Sequence, residues 1–278
     1  MTAQDATVQT GTTHSRATRT APAYVPGHDL LADRTVVVTA AAGAGIGAAT
    51  ARRCLEEGAR VVVIGDTHQR RLAAAEEELG KDFGADRVSA IVCDVTDEEQ
   101  VTALLDAAEP FGGVDVMVNN AGLGGTASVL EMTDDEWSRV LDITLTGTFR
   151  CVRAAGRRMV AAGTKGVIVN NASIIGWRAQ EGQAHYAAAK AGVMALTRCS
   201  AIDLAPHGIR VNAVSPSLAM HPFLAKVTSD DLLEELKSRE AFGRAAEPWE
   251  VANVIVFLAS GYSSYMTGEV VSVSSQHP

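Results

Sequence analysis

Cysteine is scarce in this chain, and so are aromatic residues, basic clusters and long apolar runs. Each shortage excludes something. The four cysteines, Cys54, Cys93, Cys151 and Cys199, stand far apart and show no metal-like spacing. They read as reduced, mostly buried thiols of a cytoplasmic protein, with no metal site. No apolar stretch approaches the roughly 18 residues of a membrane span, so no membrane partner is expected. Lys and Arg number 24 against 33 Asp and Glu, with no basic block, which argues against nucleic acid as a partner. The first 29 residues lack the continuous apolar core of a secretory signal. They are polar, contain two prolines and show no apolar period, so they read as a flexible arm over 1–29, with folded structure from near Leu30.

What is present is a regular alternation. Short β-branched runs, "TVVVTA" (35–40), "RVVVIGD" (60–66), "RVSAIVCD" (87–94), "VDVMVNNAG" (114–122), "GVIVNNAS" (166–173), "GIRVNAVSP" (208–216) and "GEVVSVS" (268–274), are separated by helical stretches. Continuous apolar strands of this kind are buried on both faces. The pattern predicts one α/β domain over 30–278, a doubly wound, Rossmann-like fold with a seven-stranded parallel sheet and helices on both faces.

The first strand runs into "TAAAGAGIG" and then an amphipathic helix. Gly43, Gly45 and Gly47 permit a tight turn and close approach of backbone to a pyrophosphate. The helix start at Ile46–Gly47 offers free N–H groups and a positive dipole end. The second strand ends in Asp66, whose carboxylate suits adenosine ribose hydroxyls and repels a 2'-phosphate, so NAD is favoured over NADP. Arg70 and Arg71 follow closely and read first as solvated helix residues.

In "HYAAAKAG" (185–192), Tyr186 and Lys190 are four apart, which on a helix puts them on one face. By itself this fits an ordinary half-buried helix as well as an active site. The wider set of motifs resembles the short-chain dehydrogenase/reductase family over about residues 30 to 275. The motifs are the glycine loop, "CDV" (93–95), "NNAG" (119–122), and Ser173 thirteen residues before the "YAAAK" of 186–190. The resemblance implies that Asp94 and Val95 hold the adenine. Asn120, Ala121 and Gly122 would line the nucleotide cleft, with Asn119 tying strands together. It makes Tyr186 the general acid/base, Lys190 its helper and a ribose contact, and Ser173 the group that orients the reacting oxygen. The chemistry agrees: an ordinary phenol, pKa about 10, is a poor base at neutral pH, and a nearby ammonium favours phenolate.

Four departures from the family pattern stand out. The glycine loop is one residue longer and richer in alanine. Thr144 replaces the usual Asn of the fourth catalytic position, making it a candidate holder of a proton-relay water or a residue that bonds its own helix backbone. In "SPSLAMHPF", Ser217 and His221 replace the usual Gly and Thr, while the backbone at Ala219 would still meet the nicotinamide. The ending "SVSSQHP" lacks the usual Asp-Gly-Gly. The resemblance also implies a homo-oligomer, a dimer or tetramer.

A substrate lid is expected at about 217–245, carrying Leu218, Met220, Phe223 and Leu224. Leu123, Ile175, Trp177 and Met220 are the candidate pocket residues for a bulky apolar small molecule. The strings "VVVTAAAGAGIG", "NNASIIGWRAQ" and "EAFGRAAEPWEV" also resemble a narrower group, actinobacterial reductases of cholesterol-ring degradation that act on a bicyclic carboxyl-CoA. Competing readings are a 3-oxoacyl-carrier-protein or acetoacetyl-CoA reductase, a terpene alcohol dehydrogenase, and a catalytically silent NAD-binding sensor.

Overall fold

The β-branched runs form strands where they are predicted. In the computed structural model, which describes residues 20–220 and 230–276, β1 (Thr35–Thr39) and β2 (Val61–Asp66) are buried from end to end. With β3 (Val88–Val92), β4 (Val116–Asn119), β5 (Val167–Asn171), β6 (Arg210–Pro216) and β7 (Val270–Val273), they pair in parallel in the order β3-β2-β1-β4-β5-β6-β7. Successive side chains of β1 point to opposite faces. Val36 and Val38 pack toward α1 (Ile46–Glu56), α2 (Gln69–Phe83) and α8 (Pro248–Ala259). Val37 packs toward α3 (Glu98–Asp106) and α5 (Gly147–Ala162). Two separate apolar layers thus cover one sheet.

The chain builds β1, β2 and β3 outward on one side, then crosses to β4 on the other side of β1. The order reverses between β1 and β4, and a crevice opens at their carboxyl ends, the place where open α/β sheets bind ligands. The other elements that reach this edge are α4 (Asp134–Leu141), α6 (Ala184–Leu204) and α7 (Asp230–Arg239). A capping box between Thr133 and Glu136 starts α4, a device that stabilises by about 1 kcal/mol. α4 runs without a break through a π-helical turn, Asp142–Thr146, into α5.

Residues 24–30 lie along α1. His28 N and Leu30 N donate to Glu57 (2.7 and 3.1 Å), Arg53 donates to the carbonyls of Val25 and Pro26, and Tyr24 meets Trp249 edge to face at 5.2 Å. Arg53 and Glu57 form a buried ion pair at 2.5 Å. An ion pair removed from water needs further hydrogen bonds to be tolerated, and the arm backbone supplies them. The composition of 20–30 hides this because the partners are backbone groups.

Of the expected lid, Leu218, Ala219 and Met220 are described, whereas His221, Phe223 and Leu224 lie outside the described residues. The described ends of that segment meet: Ala219 bridges Ala246 in parallel, with Ala246 N on Leu218 O and Met220 N on Ala246 O.

Candidate active site

The phosphate loop leaves β1 through two residues with positive φ, Ala40 (51°) and Gly43 (105°). The second favours glycine. A Cβ at Gly43 or Gly45 would meet nothing within 4 Å, so the loop backbone faces open space. Gly45 is the N-cap of α1 and supplies no side-chain cap, and Ile46 is the first helical residue. Uncapped N–H groups at a helix start fit a pyrophosphate. Gly47 serves packing: a Cβ there would lie 2.2 Å from Ala40 O and 2.5 Å from Asn120 Nδ2.

Asp66 closes β2 beside this loop, almost buried. One carboxylate oxygen accepts from Ala42 N (3.2 Å), the other from His68 N (2.9 Å), and Arg71 Nη2 stands 3.8 Å away. Asp66 therefore shapes the longer, alanine-rich loop as well as presenting a carboxylate. Asp94 turns its carboxylate to Thr96 N and Oγ1 (2.9 and 2.8 Å). Val95 is buried against Gly147, and its carbonyl accepts from Arg150 Nη1 at 3.5 Å.

The repeated "NNA" of residues 119–121 and 170–172 is a signal that sequence reading passed over. Asn119 and Asn170 are register partners on β4 and β5. Asn119 Nδ2 donates to Asn170 Oδ1 (2.8 Å), and Asn170 Nδ2 to Thr197 Oγ1 on α6 (2.9 Å). One residue on, Asn171 Nδ2 donates to Asn120 Oδ1 (2.9 Å), and Asn120 Nδ2 reaches the carbonyls of Thr39 and Ala40. Thr39 Oγ1 accepts from both Asn120 N and Ala121 N (3.0 Å each). These bonds fix the ends of β1, β4 and β5 relative to one another. Thr39 and Asn171 are the functional residues missed.

α6 brings Tyr186 and Lys190 to the same edge. Lys190 is 3% exposed, its Nζ donates to Asn171 O (2.5 Å) and it lies 5.6 Å from the Tyr186 ring centre. Burial pushes the ammonium down from 10.5 to about 8. Burial also raises the Tyr186 phenol, and the neighbouring Ser173 hydroxyl pulls the other way. Ser173 Oγ is itself held by Ile175 N (3.3 Å). The loop Gly122–Gly125 passes over this face. A Cβ on Gly122 would come 3.4 Å from Lys190 Nζ, on Gly124 3.9 Å from the Tyr186 ring, and on Gly125 2.9 Å from buried His185 Nε2.

Thr144 reaches the site, but its hydroxyl is engaged in a way that sequence reading did not foresee. It accepts from Leu123 N (2.9 Å) and donates to Leu123 O (3.1 Å). Its proton goes to Leu123 O, off its own helix. Of the pocket candidates, Leu123 and Ile175 are half-buried beside these residues, Trp177 is exposed at the rim, and Met220 stands on the strand-like pairing after β6. Among the described residues no cluster of His, Cys, Asp or Glu can hold a metal ion, and no helix is long and apolar enough to cross a membrane.

A family model described as enoyl-(acyl carrier protein) reductase matches residues 40–275. The chain is 62% identical to (5R,7aS)-5-hydroxy-7a-methyl-1-oxo-2,3,5,6,7,7a-hexahydro-1H-indene-carboxyl-CoA reductase of Mycobacterium tuberculosis, over 93% of this chain and 98% of that one. It is 44% identical to cis-4-hydroxycyclohexanecarboxylate dehydrogenase of Sinomonas cyclohexanicum, over 88% and 96% of the two. A crystal structure of a short chain dehydrogenase from Mycobacterium smegmatis superposes with a TM-score of 0.82 at 57% identity, covering 93% of this chain and 99% of that one. Motif order, sheet order and these likenesses agree: the chain belongs to the short-chain dehydrogenase/reductase family, oxidoreductases that bind a nicotinamide cofactor.

Proposed function

We propose that the protein interconverts a secondary alcohol and a ketone with NAD(H), on a bicyclic, CoA-linked acid of the kind formed in steroid-ring degradation. The observation that carries the chemistry is the grouping of Ser173, Tyr186 and Lys190 at the carboxyl edge of the sheet, beside the uncapped start of α1. Ser173 holds the substrate oxygen. Tyr186 takes its proton on oxidation and returns it on reduction. Lys190, fixed by Asn171 O, favours the phenolate and reaches the cofactor ribose. A bound nicotinamide supplies or accepts the hydride. Gly43, Gly45 and Ile46 hold the pyrophosphate. Asp94, Val95, Asn120, Ala121 and Gly122 would line the nucleotide cleft, and Ala219 would hold the nicotinamide end. Asp66 favours NAD by repelling a 2'-phosphate.

Leu123, Ile175, Trp177 and Met220 form the apolar substrate walls. The substrate class rests on the relative at 62% identity. Exposed apolar side chains on α4 and α5, among them Trp137, Phe149 and Val160, support a homo-oligomer, and the free cysteines fit a cytoplasmic location. The test is absorbance of NADH with a panel: the bicyclic hydroxy-oxo-hydrindane carboxyl-CoA, its free acid, 4-hydroxycyclohexanecarboxylate and 3-hydroxybutyryl-CoA. The highest kcat/KM is expected for the first, with NAD. Preference for 3-hydroxybutyryl-CoA, or no turnover of any alcohol, overturns the reading.

A further inference from the structure

The unusual ending of the chain has a structural counterpart. Glu240, one residue past α7, is 1% exposed, and its donors are neutral. Ser275 Oγ donates to one oxygen (2.7 Å), and Gln276 Nε2 (2.7 Å) and Leu218 N (3.4 Å) to the other. The other end of the Gln276 amide, Oε1, accepts from Arg178 Nη1 at 2.5 Å. The amide dipole is thus aligned between a carboxylate and a guanidinium. Arg178 follows Trp177 and is four residues past Ile174, whose carbonyl accepts its N–H. Leu218 begins the segment after β6. The same tail pairs by backbone with both sides of that segment, Ser217 N to Val273 O (3.2 Å) and Ala241 N to Ser275 O (2.9 Å).

We propose that the chain Arg178–Gln276–Glu240 is a latch that positions the two substrate walls, the Trp177 side and the Leu218–Met220 side, relative to each other. Ser275 and Gln276 are then specificity-determining positioning residues, standing where the family usually has Asp-Gly-Gly. A buried carboxylate reached only by neutral donors is costly, and the charge on Arg178, relayed by an oriented amide, offsets that cost. The order of groups is directional. Glu240→Gln keeps that order, its amide oxygen accepting from Gln276 Nε2 and its NH2 donating to the Ser275 hydroxyl, so it removes the charge alone. Gln276→Glu sets carboxylate against carboxylate. The double swap restores the alternation, because Glu at 276 pairs with Arg178 and accepts from Gln at 240. The proposal rests on reading the Ser173–Tyr186 cleft as the site of alcohol oxidation.

The experiment measures steady-state kinetics with the bicyclic carboxyl-CoA, NADH affinity by fluorescence, and amide exchange at Leu218 and Ala241 by NMR. Glu240→Gln is expected to leave KM for the alcohol within about threefold, and Gln276→Glu to raise it about tenfold. In Gln276→Glu kcat should stay within about threefold and NADH affinity should not change, while the two amides exchange at least about tenfold faster. The double swap should return KM and exchange to within about threefold of the parent. If Gln276→Glu does not fold, Gln276→Ala, which leaves Glu240 bonded to Ser275, carries the same expectations in milder form. Unchanged KM and exchange in Gln276→Glu, or a double swap as impaired as it is, overturns the latch. If the parent turns over no alcohol, the functional reading fails, and amide exchange still tests the latch.

Discussion

Thr144 and Leu123 close a two-way hydrogen bond: the Thr144 hydroxyl accepts from Leu123 N at 2.9 Å and donates to Leu123 O at 3.1 Å. The hydroxyl fastens the loop after β4 to the π-helical turn under it. π-turns recur at functional sites, and this one holds the start of the glycine loop that covers Tyr186 and Lys190. Thr144→Val keeps the shape and leaves both Leu123 groups unpaired. A loss of about 1–3 kcal/mol in stability is expected. The pH profile of kcat should superimpose on that of the parent, and Thr144→Ser should restore stability. A changed profile would return Thr144 to a proton relay.

Tyr186→Phe removes the phenol oxygen without adding bulk. Turnover should fall by about 10²–10⁴-fold, with NADH affinity, read by fluorescence, close to unchanged. Retention of most of kcat would remove Tyr186 from the acid/base role.

Lys190 is buried with its value lowered from 10.5 to about 8, so between these limits the unfolded chain holds a proton that the folded chain has released. Stability from this group therefore rises with pH from about 8 to 10.5 and is lowest below 8. At 1.36 kcal/mol per unit, the cost at pH 7 is at most about 3 kcal/mol. Lys190→Met should be inactive yet melt higher than the parent at pH 7, with the gap narrowing across that window. A gap independent of pH would mean that Lys190 is not strained by burial. Bound cofactor should reduce the gap, because a partner for the ammonium raises its value again.

Asp66→Ala has two consequences in this structure. It removes the repulsion of a 2'-phosphate and it frees Ala42 N, which the carboxylate holds at 3.2 Å. Hydrogen bonds to a charged group contribute about 1.5–3 kcal/mol. The ratio of kcat/KM for NAD over that for NADP should drop at least about tenfold, and NAD should bind more weakly. A parent enzyme that prefers NADP would contradict the assignment.

Gly27 lies so close to α1 that a Cβ would sit 2.0 Å from Glu56 O. Gly27→Ala must push the arm away from Arg53 and Glu57. Overpacking of this kind costs about 1–3 kcal/mol, so a lower Tm is expected, with kcat changed little. An unchanged Tm would show that the arm contributes nothing to the fold.

The sequence by itself determined the strands, the glycine-rich turn after β1 and the shared helix face of Tyr186 and Lys190. Strands buried on both faces need continuous β-branched runs, and a βα phosphate turn needs glycine at set positions. Tyr186 and Lys190 share a helix face because helical spacing is local. These constraints act within a few residues and so leave a pattern in the string. Tertiary structure alone decided the rest. The two bonds of the Thr144 hydroxyl to Leu123 exist only because the fold brings that loop within reach. The polar arm is held because residues 24–30 meet a buried Arg53–Glu57 pair. Glu240, Gln276 and Arg178 lie far apart in sequence and become partners only when β7 brings the tail to the edge of the sheet. In each case the partner is distant in the chain, often a backbone group that every residue carries, so residue type alone cannot announce it.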